Sequence, residues 1–267
     1  MFHHFFFVKS LSIIGSALIV LSVCASGHKT LAQEKPHSVV YGSFDHARAS
    51  FVTVGFKRSV ITSLHENGFF VEGQFGGGLE RSIDVNAVRI QQAHIFDLNA
   101  LETTMKGHAA LGYQWMTGQG VISAGLGVEG IIKNDAATLT QTSSNDVNLG
   151  GRVDVDVWHH VTPQTLIQFN MTGSTAQQSV WSRLRGGYAF FEGTTGFFSM
   201  MRNAYVGPEM SIYHEFSTRR DYEQIRVGIH ATNITIGARQ ANISAGVYRD
   251  TDKRQGGYVN VGLAQKW

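Results

Sequence analysis

From Ser38 to Trp267, apolar and polar residues alternate with a period of two in segment after segment, and that pattern commits the chain to β-strands. Between Gly151 and Trp158, Val153, Val155 and Val157 fall on one face, while Arg152, Asp154 and Asp156 fall on the other. Between Gly120 and Ile132, Ile122, Ala124, Leu126, Val128 and Ile132 oppose Ser123, Gly125, Gly127 and Glu129. The same grammar sets Ile225, Val227 and Ile229 against Gln224, Arg226 and His230, and Val259, Val261 and Leu263 against Asn260, Gly262 and Lys266. The 30 glycines among 267 residues point the same way, because each glycine in a helix costs about 1 kcal/mol relative to alanine.

Counting such runs between turn signals predicts about twelve strands, with ends uncertain by ~2–4 residues. They are expected at 38–45, 49–57, 68–76, 104–115, 120–132 and 149–159, then at 164–172, 178–189, 204–214, 222–230, 241–249 and 257–267. The long loops then fall at 77–103 and 133–148, and no domain linker interrupts residues 33–267.

Alternation is written equally by a soluble sandwich with an apolar inside and by a membrane barrel with an apolar outside. Three features favour the barrel. Several runs exceed the ~5–6 residues usual for soluble strands and suit tilted crossings of ~9–11. The polar faces mix Gly with both charge signs, and Arg152, Asp154, Asp156, Arg183, Arg185, Glu209 and Arg226 are the residues expected to line a lumen. Aromatic residues gather at the ends of even-numbered strands: Trp115, Trp158, Tyr188 with Phe190, and Trp267, as an interfacial girdle would require. Trp267, with Leu263, Val261 and Val259 spaced behind it, also resembles the terminal signal read by outer-membrane barrel assembly machinery, although Gln265 departs from it.

Residues 1–32 read as an export signal, expected to be removed. Lys9 supplies positive charge, Leu11 to Cys24 are apolar or small, and Thr30-Leu31-Ala32 offers a cleavage site. A lipidation box at Leu21–Cys24 is the alternative, weakened by Val23 where a small residue is wanted. Removal of this segment would take away the single cysteine, and with it any disulfide or thiolate metal site. It would also remove Lys9 and Lys29, leaving basic and acidic residues balanced. Without a basic stretch, nucleic acid is not an expected partner.

The order of motifs resembles the cellulose biosynthesis protein BcsS family of alphaproteobacterial outer-membrane proteins. The pieces are Ala110-Leu111-Gly112-Tyr113-Gln114-Trp115, Val180 to Tyr188, Val206-Gly207-Pro208-Glu209, Ile225-Arg226-Val227-Gly228, Ser244 to Tyr248 and Gly257 to Gly262. Two departures are an aromatic-rich stretch with Phe190, Phe191, Phe197 and Phe198, and an early loop poor in acidic residues. The resemblance implies an outer-membrane barrel serving cellulose or related exopolysaccharide production. Lipid, a glucan, cellulose-synthase components and the assembly machinery are its implied partners.

Candidate chemistry is sparse. Asp154 and Asp156 lie ~7 Å apart on one strand face, a spacing open to acid–base work on a glycosidic bond, but Arg152 beside them favours a charge network. A hydrolytic set of Ser144, Asp146, His214 and Ser217 has no spacing that unites it. The histidines show no zinc-type spacing, and His159-His160 point to opposite faces, so neither a metal nor another cofactor is expected. Gly76-Gly77-Gly78 lacks the Lys-Ser/Thr pair of a phosphate loop. The expectation is a non-enzymatic outer-membrane barrel. The alternatives are a small general porin, an outer-membrane hydrolase or acyltransferase, and a soluble periplasmic sugar binder.

Overall fold

A computed structural model describes residues 36–81, 101–135, 145–191, 196–216 and 221–267. The expected signal segment 1–32 lies outside the described residues. Twelve strands form: β1 Ser38–His46, β2 Ala49–Ser59, β3 Gly68–Arg81, β4 Leu101–Thr117, β5 Gly120–Asp135, β6 Asn145–Thr162, β7 Thr165–Ser174, β8 Ser179–Tyr188, β9 Tyr205–Glu215, β10 Tyr222–Ile236, β11 Arg239–Asp250 and β12 Gln255–Lys266. Each strand pairs antiparallel with its sequence neighbours, and β12 pairs with β1 to close the barrel. Every expected strand is present. The segments expected as long loops are in part strand, since β3 runs on to Arg81, β4 begins at Leu101 and β6 extends over 18 residues.

Closure leaves no free sheet edge, so the backbone groups of the wall bond to one another rather than to solvent. The seam is fastened at its end, where Trp267 N donates to Ser38 O and the amides of His37 and Ser38 both donate to Trp267 O. Twelve strands spaced about 4.8 Å apart and tilted by about 40° give a wall of roughly 12 Å radius, narrow enough for side chains to meet inside.

The wall is one layer thick, and its aliphatic face looks outward. Leu111, Leu126 and Val153 sit side by side across β4, β5 and β6 with their side chains exposed, as do Val227 and Val247 across β10 and β11. The aliphatics therefore do not pack between two sheets, which removes the sandwich alternative. A surface of this kind is satisfied by hydrocarbon.

One outward patch is covered by the chain itself. The β8–β9 connection contains a 3₁₀ turn, Gly196–Met201, and its Met201 and Ala204 pack with Ile234, Ala241 and Leu263, which are in phase with the outer face. A bulge in β10 adapts the wall there. Asn233 takes a positive φ of 65°, tolerable for Asn, and its amide donates to Asn203 O at 3.0 Å.

The glycines have a specific use on the inner face, where aromatic rings lie flat over glycines of the next strand. Tyr41 covers Gly55, Phe51 covers Gly78 and Phe70 covers Gly112. A Cβ at Gly55 would stand 2.5 Å from Tyr41 Cζ, and the Tyr41 hydroxyl is tied to Glu72. Gly55→Ala is expected to cost about 1–3 kcal/mol by overpacking, read as a lower urea midpoint in lipid vesicles. An unchanged midpoint would contradict this packing.

Candidate functional site

Strand alternation turns every second residue inward, so the lumen collects the polar rows predicted from the sequence. Four clusters account for the seven expected lumenal charges. On β5–β7, Arg152 donates to Glu129 at 2.8 Å and grips both oxygens of Asp154 at 2.8 Å each, while Thr172 donates to Asp154 at 2.7 Å. Glu129 also accepts from Ser174. Asp156 accepts from Asn170 at 2.5 Å, and Arg183 donates to the oxygen of the same amide at 3.0 Å.

Further round the wall, Arg185 of β8 pairs with Glu209 of β9, their side chains only 2% and 3% exposed. Tyr258 donates to Glu209 at 3.0 Å and Arg185 reaches Ser244 at 3.5 Å. The fourth cluster bridges the seam: Arg226 of β10 donates to both oxygens of Asp45 on β1, at 3.0 and 2.9 Å, and Asn260 adds a bond at 3.3 Å. Two-nitrogen contacts such as those of Arg152 on Asp154 are strong and directional. They leave Asp154 engaged by Arg152 and Thr172, as the charge-network reading of that pair requires. Asp146 is in phase with the lumen face and His214 with the outer face, so these two do not meet; Ser144 and Ser217 lie outside the described residues.

Contacts between strands that are not neighbours also occupy the half of the lumen nearer the termini. Lys57 of β2 reaches Ser123 of β5 at 3.4 Å, Tyr205 of β9 meets His160 of β6 at 3.3 Å, and the Arg185–Ser244 and Tyr258–Glu209 bonds span three strands each. The half away from the termini holds an open vestibule of about 760 Å³. Trp181 of β8 and Tyr213 of β9 are cross-strand partners on its wall, and the Tyr213 and Tyr222 rings stand 6.1 Å apart. Phe51, Lys106 and His108 face them from β2 and β4, with the Lys106 ammonium 4.5 Å from the Phe51 ring centroid.

The expected girdle divides. Trp115, Tyr188, Phe190 and Trp267 are exposed at the end that carries the termini, Trp115 packing at 4.9 Å on Tyr113 and Tyr188 at 4.9 Å on Phe190. Trp158 does not join them. It is in phase with Asp154 and Asp156, faces the lumen and donates its indole N–H to His160 at 3.1 Å. Lying near the end of β6 placed Trp158 at the right height, but its phase with Asp154 and Asp156 placed it on the wrong face for lipid.

Sequence reasoning missed Tyr41, Asp45, Lys57, Glu72 and Tyr258 as members of the lumenal network, and Trp181, Tyr213 and Tyr222 as vestibule walls. Their inward phase was readable, but their partners come from strands distant in the chain, such as Asp45 and Arg226.

Residues 39–266 match the sequence profile of the family described as "Cellulose biosynthesis protein BcsS". No curated protein matches the chain. Among solved structures, the β domain of the Bordetella autotransporter BrkA is similar at 11% identity and a TM-score of 0.50, covering 87% of this chain and 98% of that one. This likeness is one of fold. The KdgM porin aligns at 10% identity and a TM-score of 0.48, covering 86% and 99%, and the translocator domain of NalP from Neisseria meningitidis at 10% and 0.48, covering 97% of each.

Proposed function

The chain belongs to the BcsS family of cellulose biosynthesis proteins, and from that premise we propose that it is a non-enzymatic accessory of cellulose production, seated in the bacterial outer membrane, with its vestibule open to the cell exterior. Residues 1–32 direct export in this reading, the assembly machinery takes the strand ending in Trp267, and lipid meets the aliphatic wall and the exposed aromatic ring. The observation that carries the proposal is the division of the lumen. In the terminal half, side chains from strands that are not neighbours bond to one another, while the other half, whose walls carry the Arg152–Glu129 and Arg226–Asp45 pairs, is an open, polar and aromatic vestibule.

That arrangement gives no support to a through-going glucan channel, because bonds between strands three apart narrow the terminal half. The barrel instead suits holding or guiding saccharide at the outer face, near other components of the synthase. Deletion of the gene is expected to lower dye-binding cellulose several-fold, with recovery on re-expression. Normal cellulose in the deletion strain would overturn the accessory role.

Two further measurements separate the alternatives. Asp154→Asn with Asp156→Asn should leave cellulose output near normal if these carboxylates only hold the wall; an abolished hydrolytic activity would instead support an enzyme. Purified protein in planar bilayers should lack a large steady conductance. A steady conductance indifferent to cello-oligosaccharides would favour a small general porin.

A further inference from the structure

We infer that the vestibule is a binding site for a short stretch of β-1,4-linked glucan, taken with its sugar faces against the Trp181–Tyr213 pair. This inference rests on the cellulose reading above and adds the site and the ligand class. Three features of the cavity carry it.

The first is the aromatic wall. Trp181 and Tyr213 lie directly opposite each other in the β8–β9 register, and Tyr222 continues the row on β10. Apolar faces of pyranose rings stack on such surfaces, whereas anions and small polar solutes gain little from them. The second is the chemistry around that row. Gln177 donates to the Tyr213 hydroxyl at 2.9 Å, and Tyr213 in turn donates to Glu215 at 2.7 Å, which fixes the ring in place. Across the lumen, Gln74, Lys106 and His108 line the same cavity. Sugar hydroxyls both donate and accept, so they suit a wall that mixes an imidazole nitrogen, an amide and an ammonium.

The third feature is size. A volume of about 760 Å³ lies within the ordinary range of ligand sites and holds a few sugar units rather than a polymer. Below it, contacts between strands three apart narrow the lumen. The ligand is therefore a free end or a short oligomer entering from the mouth.

The test is titration of cellohexaose into the purified full-length chain in detergent, followed by tryptophan fluorescence and calorimetry. Saturable binding is expected, weakened about tenfold or more in Trp181→Ala, since truncated aromatic anchors commonly cost that much. Tyr213→Ala should weaken it similarly, while Trp115→Ala on the outer face should not. Folding of each variant is checked by the heat-dependent shift in gel mobility typical of barrels, and Trp181→Phe, which keeps a ring, should retain most binding. Absence of saturable binding by the wild type, full affinity in both folded alanine variants, or equal affinity for maltohexaose would each overturn the assignment. Loss of cellulose on gene deletion without cellohexaose binding would refute this site and leave the accessory role standing. Binding without any cellulose phenotype would do the reverse.

Discussion

Arg185→Ala is expected to destabilise the barrel by about 3–5 kcal/mol, the largest effect of any single lumenal substitution, because it strands a charge inside the wall. Glu209 is almost wholly buried, and its remaining hydrogen-bond partner, Tyr258, is a neutral donor, with the Arg183 guanidinium a second charge acting on it. Removing the Arg185 guanidinium therefore leaves a buried carboxylate without its ion-pair partner, a loss far greater than the net worth of the intact pair. The prediction is sharpened by its partner variant. Replacing Arg185 and Glu209 together with Met and Leu should recover much of the stability, since apolar groups of similar volume need no counter-charge. Urea unfolding in lipid vesicles measures both, and a single variant as stable as wild type would mean that water reaches Glu209 freely.

Leu126→Arg is the second large effect, at about 2–4 kcal/mol, and it reports on lipid rather than on the lumen. Leu126 lies near the middle of β5, is 68% exposed, and has Leu111 and Val153 as its outward neighbours. Neither of those neighbours offers an arginine there a carboxylate to meet. Val147→Arg, on the same outer wall near the start of β6, serves as the depth control and should cost only about 0–1 kcal/mol. Equal tolerance of both would mean that no hydrocarbon surrounds the wall. Loss of assembled protein from the membrane fraction in the Leu126 variant alone would place that residue at the bilayer centre.

Most of the fold was legible because alternation is a local property. Val153, Val155 and Val157 share a face whatever surrounds them, since the pleat turns consecutive side chains apart. The number of strands followed from counting turns. What escaped was longer-range. Nothing in the residues around Leu263 announces that Met201 and Ala204 of the β8–β9 connection will cover it. Trp158 is a different kind of error, because its even-numbered phase with Asp154 and Asp156 was already in view, and position along a strand was allowed to outweigh it.

The residues that make the candidate site followed the same division. Arg152 and Asp154 could be paired from their spacing alone, being two apart on one face. Arg226 and Asp45 could not, being far apart in the chain and joined only where β12 closes on β1. The alternation of the amino-acid sequence determined by itself that this chain has one greasy face and one polar face, because that depends only on the order of neighbouring residues. Closure decided the rest: which charges neutralise one another, where the lumen is crossed and where it stays open. Those contacts depend on the curvature and register of the whole sheet, which no single strand encodes.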